Sequence, residues 1–196
     1  MKLRNGTRLT VDIGDLTPRG EGVARAEERD IIVPGGVQGD RIEIAVAHVS
    51  PHGRNVWAKP LRFLSRGSGY TAHFCPMSVA AKGGCGGCAI GHLSATEQDA
   101  FKLRQVERAL QRAAPAAEIS FFGAADRTAY RNRSNYIPFR DRWGRVKMGS
   151  FRPGTHEPAD MAGCAIVRPP IDAVAQKIAA LIGSEVPLHP APTGLR

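Results

Sequence analysis

The chain has 196 residues, enough for one domain or two small ones, and its 42% hydrophobic and 23% charged content is that of a globular protein. No run of about 18 apolar residues offers a membrane span, and the first six residues lack the apolar stretch of an export signal, so a cytoplasmic location away from membranes is expected. Lysine and arginine number 27 against 18 aspartates and glutamates, and a net charge of +9 suits a polyanionic partner, nucleic acid first among them.

The first 65 residues read as short strands punctuated by glycine. Residues 8–13 alternate, with Leu9, Val11 and Ile13 on one face; 30–33 is a β-branched run; 41–49 alternates through Ile42, Ile44 and Val46; and 55–59 supplies a closing strand. The intervening Pro18-Arg19-Gly20-Glu21-Gly22 and Pro34-Gly35-Gly36-Val37-Gln38-Gly39-Asp40 are turn sequences. These strands and turns predict a small closed β-barrel of five strands over residues 1–65, because closure removes unpaired edges.

Residues 66–93 hold Gly67, Gly69, Gly83, Gly84, Gly86, Gly87 and Gly91, with three of the four cysteines, so something other than an apolar core must order them. Ser94-Ala95-Thr96-Glu97 reads as a capping box that opens a helix. Leu103, Val106 and Leu110 form its apolar stripe, and Arg104, Arg108 and Arg112 a second face, most simply a solvated one. Strands are expected at 119–122, 131–139 and 145–151, the last two joined through Asp141-Arg142-Trp143-Gly144. A final helix spans 170–181, with Ile171, Val174, Ile178 and Leu181 on one face and Gly183 as its stop. Proline at 187, 190 and 192 makes 186–196 a linker.

The cysteines are Cys75, Cys85, Cys88 and Cys164. Cytosolic thiols stay reduced, which favours metal or chemistry over disulfides. Cys85-Gly86-Gly87-Cys88 presents two thiolates on one tight turn, and Cys75 and Cys164 would complete a set of four. A zinc ribbon would show two close pairs, whereas this chain has one pair and two single cysteines. A redox dithiol would open a helix, yet the helix starts only at Ser94. An iron–sulfur cluster tolerates three local ligands and one distant one and fits the spacing best, with zinc next.

Beyond the cysteines, Tyr130-Arg131-Asn132-Arg133 offers cations and an aromatic plane for unpaired RNA, and a strand there would put Arg131 and Arg133 on one face. Lys147 and Arg152 would extend that patch, and Arg19 lies on a barrel turn; the plain alternative is a strand edge kept soluble by arginine. Trp57 and Trp143 read as packing residues, and His92 as a structural histidine.

Together these residues resemble a known family. Leu16-Thr17-Pro18-Arg19-Gly20-Glu21-Gly22-Val23-Ala24 and Ile32-Val33-Pro34-Gly35-Gly36-Val37-Gln38-Gly39-Asp40 look like a TRAM domain, an RNA-binding β-barrel of OB-like form. Cys75-Pro76, Cys85-Gly86-Gly87-Cys88, His92-Leu93, Tyr130-Arg131-Asn132-Arg133, Gly149-Ser150-Phe151-Arg152, His156 and Cys164 are similar, in order, to the bacterial 23S rRNA (uracil-5-)-methyltransferases. The resemblance implies a mixed architecture: a TRAM barrel at 1–65, then an α+β domain at 66–185 that binds RNA and a [4Fe–4S] cluster through Cys75, Cys85, Cys88 and Cys164. It also implies methylation of uracil C5 with S-adenosylmethionine. In that mechanism a cysteine adds to C6, C5 attacks the methyl group, and a carboxylate removes the C5 proton.

This sequence departs from the family in two respects. Nine residues separate Cys75 from Cys85, more than the family usually has, and no glycine-rich nucleoside turn or fifth cysteine is present. The S-adenosylmethionine site and the nucleophile belong to a C-terminal methyltransferase domain in the family, so the expectation is a truncated or split enzyme, inactive alone, with RNA as its partner. The alternative is a free-standing RNA-binding iron–sulfur or zinc module that acts as an interaction protein, with a separately encoded catalytic chain.

Overall fold

The structure is a computed structural model that describes residues 3–79, 83–114 and 116–183, with Val186 and Leu188. It divides into two compact units: the described residues of Met1–Ala72 with His92–Phe122, and those of His73–Gly91 with Gly123–Arg196. The first helix therefore groups with the N-terminal sheet, along another line than 1–65 and 66–185. Apart from Val186 and Leu188, the expected linker at 186–196 lies outside the described residues. Among the described residues no helix is long and apolar enough to cross a membrane.

The first unit holds β1 (Arg8–Asp12), β2 (Asp15–Leu16), β3 (Gly22–Ala26), β4 (Arg29–Val33), β5 (Arg41–Val49), β6 (Asn55–Ser65) and α1 (Ala95–Leu110). The five-stranded closed barrel is corrected to a six-stranded sheet in the order β1-β5-β6-β4-β3-β2, with no ladder between the two edge strands. Two short-range facts explain the difference. β2 has only two residues, too few to show alternation, and β3 starts at a glycine that reads as a turn. Curvature is still present, since Gly14, just past β1, donates its N–H to Val23 O of β3.

Alternation in the sequence becomes a buried face. Val11, Ile31, Val33, Ile42, Ile44, Val46, Val56 and Ala58 form one core cluster, each large side chain contributing about 1.5–3 kcal/mol by leaving water. β4 and β6 pair in parallel, Ile31 opposite Val56, while β5 and β6 pair antiparallel with irregularities. Pro60 faces Ile44 beside one of these, where a strand can spare the N–H that proline lacks.

The fully buried Asp40 carboxylate ends the turn at 34–40 by accepting the N–H groups of Val37 (2.8 Å) and Gly67 (2.7 Å) and the Arg66 guanidinium (2.6 Å). Arg66 in turn stacks over Phe63 and Tyr70. At the start of α1, Ser94 accepts the Glu97 N–H as expected, but the Glu97 carboxylate turns to Arg104 (2.8 Å) instead of reaching back. Phe101 is the buried residue of α1, and Val106 of the expected stripe is exposed.

The second unit holds an antiparallel meander of β7 (Ile137–Arg140), β8 (Val146–Phe151) and β9 (Pro158–Asp160), with α2 (Pro169–Leu181). The hairpin through Asp141–Gly144 forms as expected. Two expected strands do not. Residues 119–122 adopt no strand, and Phe122 is exposed. The strand expected at 131–139 begins only at Ile137. Arg131 makes instead an isolated parallel bridge to Val167, its N–H donating to Ile166 O and its carbonyl accepting the Arg168 N–H.

On α2 the buried face is Ala175 and Ala179, packed with Met148 of β8, and not the stripe of Val174, Ile178 and Leu181, which are 55%, 48% and 84% exposed. Small side chains let the helix backbone approach the sheet closely. Larger ones would hold it off.

Candidate functional site

All four cysteines are free thiols and all belong to the second unit, where they line one cavity of about 270 Å³. Cys75 and Cys164 are buried, Cys85 and Cys88 half-buried. Arg131, Arg133, Ser134, Asn135 and Ser150 complete the polar part of its wall, and Met161 and Ile166 the apolar part. The sulfurs surround this space without closing on one point: among the described residues no group of three or more His, Cys, Asp or Glu side chains is placed to hold a metal ion.

Short backbone bonds fix each sulfur. The Cys85 N–H donates to Met77 O (2.8 Å), and the Val79 N–H donates back to Cys85 O (2.9 Å). On the other side of the pair, Gly91 donates to Cys88 O (3.1 Å), and Gly87 directs its N–H at Cys85 Sγ (3.4 Å). Cys164 sits in a turn closed by its own N–H to Met161 O.

His73 ties the two cysteine turns together. Its Nδ1 accepts the Cys75 N–H (3.1 Å), so the ring proton resides on Nε2, which faces Cys88 O at 3.1 Å and donates to it. Sequence reasoning singled out His92 and passed over His73. A histidine two positions before a candidate ligand was the available signal, because imidazole so placed can take that ligand's own N–H.

The glycines around the pair are required by close approach. A Cβ on Gly86 would lie 2.6 Å from Pro153 Cγ, and one on Gly84, at φ +94°, would strike the Arg152 guanidinium. Residues 84–86 are thus packed against the loop after β8. The same contact shows Arg152 as a wall of the cysteine loop, with Glu157 at 3.9 Å on its other side.

Electrostatics of the thiols follow from this crowding. Burial first, then the negative charge of Cys164, Cys75 and Cys85, pushes the Cys88 thiol up to about 11, with Arg131 pulling it down. Cys164 is also raised by burial, opposed by the backbone N–H groups of Ile166 and Val167. Cys88 and Cys164 therefore resist ionisation unless a cation compensates them.

The expected RNA-contact residues separate. Arg131 and Arg133 share the cysteine cavity and are exposed, though not through strand alternation; Asn132 between them is exposed as well. Lys147 is committed to Asp160 at 2.9 Å across β8 and β9. Arg19 sits exposed on the turn after β2, in the first unit. Trp143, read as a packing residue, is 63% exposed at the tip of the β7–β8 hairpin.

No family model matches the chain. Among curated proteins it is similar to an uncharacterised RNA methyltransferase of Nostoc sp., 32% identical over 171 residues that make up 84% of this chain and 35% of the relative. Similar relatives carrying the same description occur in Synechocystis sp. (30% identity, 83% of this chain, 35% of the relative) and Bacillus cereus (30%, 87% and 36%). The chain thus spans about a third of the length of the curated relatives it matches.

Proposed function

We propose that this chain is the RNA-binding, cluster-carrying part of an RNA methyltransferase that modifies uracil C5, with 23S ribosomal RNA as the expected substrate. The observation that carries the reading is the single cavity lined by Cys75, Cys85, Cys88 and Cys164, in a chain similar over 84% of its length to a protein described as an RNA methyltransferase.

The donor set fits a [4Fe–4S] cluster. A cluster takes four thiolates from unevenly spaced positions, whereas a structural zinc site draws on two close pairs, and this cavity is lined by one close pair and two single cysteines. Cys75, Cys85, Cys88 and Cys164 would hold the cluster, and its role would be structural, binding a glycine-rich segment to residues some eighty positions away. Arg131 and Arg133, which line the same cavity, would supply cations for phosphate beside it. Methyl transfer from S-adenosylmethionine we assign to the two-thirds of the relatives' length that this chain does not span, whether on the same polypeptide or on a separate one.

Anaerobic purification followed by iron and acid-labile sulfide analysis tests the centre. Four irons and four sulfides per chain are expected, with a brown colour that Cys164→Ser abolishes. Stoichiometric zinc without sulfide, or full iron retained by the variant, would overturn it.

A further inference from the structure

The β7–β8 turn carries a surface that the cluster reading does not use. Trp143 is mostly exposed, yet the turn beneath it is fixed by one carboxylate: Asp141 accepts the N–H of Trp143 (2.9 Å) and of Arg145 (3.0 Å) on Oδ1, and the Arg145 side chain (3.0 Å) on Oδ2. Backbone bonds between Asp141 and Arg145 and from Gly144 to Asp141, both 2.9 Å, close the loop.

Two guanidinium groups lie over the indole. The Arg142 carbon lies 4.0 Å from the ring centre and that of Arg145 4.7 Å, both within cation–π range. Their partners differ. Arg145 is neutralised by Asp141, whereas Arg142 has no ion-pair partner among the described residues. The tip therefore presents an aromatic plane, a guanidinium plane stacked on it, and a positive charge whose counterion must come from elsewhere.

We propose that this tip is a stacking site for an unpaired base of single-stranded RNA, with Trp143 and Arg142 as its layers and the adjacent phosphate neutralised by Arg142. The inference rests on the RNA-binding reading above. Planar cations and aromatic rings are the two surfaces on which proteins stack splayed RNA bases, and an uncompensated arginine favours a polyanion over an apolar protein partner. A preorganised turn lowers the ordering cost of capture.

The test uses the full chain with Trp57→Phe, so that Trp143 is the one remaining tryptophan. A single-stranded RNA of roughly a dozen nucleotides, within the range such sites cover, is titrated while fluorescence anisotropy of a label on the RNA and Trp143 emission are read together. Binding with quenching of Trp143 is expected. Trp143→Ala should weaken binding about tenfold, as loss of one stacked base does, while Trp143→Phe retains most of it and thermal melting verifies both folds. Binding without any change at Trp143, or with unchanged affinity in the alanine variant, would refute the stacking site and leave the RNA-binding reading intact. No binding at all would refute both, and equal quenching by a fully paired duplex would show contact without base stacking.

Discussion

At the scale of single residues, the centre depends on where protons sit. His73 accepts from Cys75 and donates to Cys88, so one neutral imidazole aligns two of the four sulfurs without itself being a ligand. Cys88 carries the largest consequence, because its thiol lies near 11 against an ordinary 9.0. In metal-free protein the folded state keeps that proton at a pH where the unfolded chain has already released it. The stability this contributes is complete below pH 9 and is lost as the pH climbs through about 11. Melting curves of the metal-free chain should therefore shift to lower Tm across that window, and Cys88→Ala should flatten the shift. Loaded protein should show no such fall, since ligating thiolates are already deprotonated. Equal falls with and without metal would remove Cys88 from the ligand set.

Elements show which physical signals reach the sequence and which do not. Period-two alternation with one buried face made β1 and β5 legible, and a β-branched run made β4 so, because Val11, Ile31, Ile42 and Ile44 all enter one core. β9 begins with Pro158 and has three residues, too short to show a period. Alternating Arg131, Arg133 and Asn135 imitated a strand, but what holds Arg131 is a parallel bridge to Val167, 36 positions away by subtraction, and no local pattern encodes it. The reading of α2 erred for another reason. Hydrophobic size pointed to Val174, Ile178 and Leu181, while contact with Met148 selected the small Ala175 and Ala179. The two readings of α2 differ in mutational cost. Ile178→Ser should change the stability of this chain by less than about 0.5 kcal/mol. Ala175→Leu should cost about 1–3 kcal/mol through overpacking against β8. Urea denaturation of both variants decides, and a larger loss for Ile178→Ser would reinstate the expected face.

At the scale of the whole molecule, +9 over 196 residues is an excess of cation that ion pairing leaves intact, since each pair removes one charge of either sign, but the pairs show which cations are already engaged. Arg25, Arg41, Arg62, Arg66, Arg104, Arg108, Arg145, Lys147 and Arg152 each face a carboxylate within 4.0 Å. Arg131 and Arg133 stand apart from these, exposed on the wall of the cysteine cavity. Net charge by itself would predict that any two arginines contribute equally to RNA affinity. The placement predicts otherwise. For single-stranded RNA, each phosphate neutralised steepens the dependence of log affinity on log salt by about 0.7. Arg131→Ala with Arg133→Ala should therefore flatten the measured slope by about 1.4, whereas Arg62→Ala with Arg41→Ala, which removes the same charge from carboxylate pairs, should leave it nearly unchanged. Filter binding from low to moderate salt distinguishes the two outcomes. Equal flattening by both pairs would mean that RNA senses only total charge, and the arginines at the cavity would then have no particular claim on phosphate.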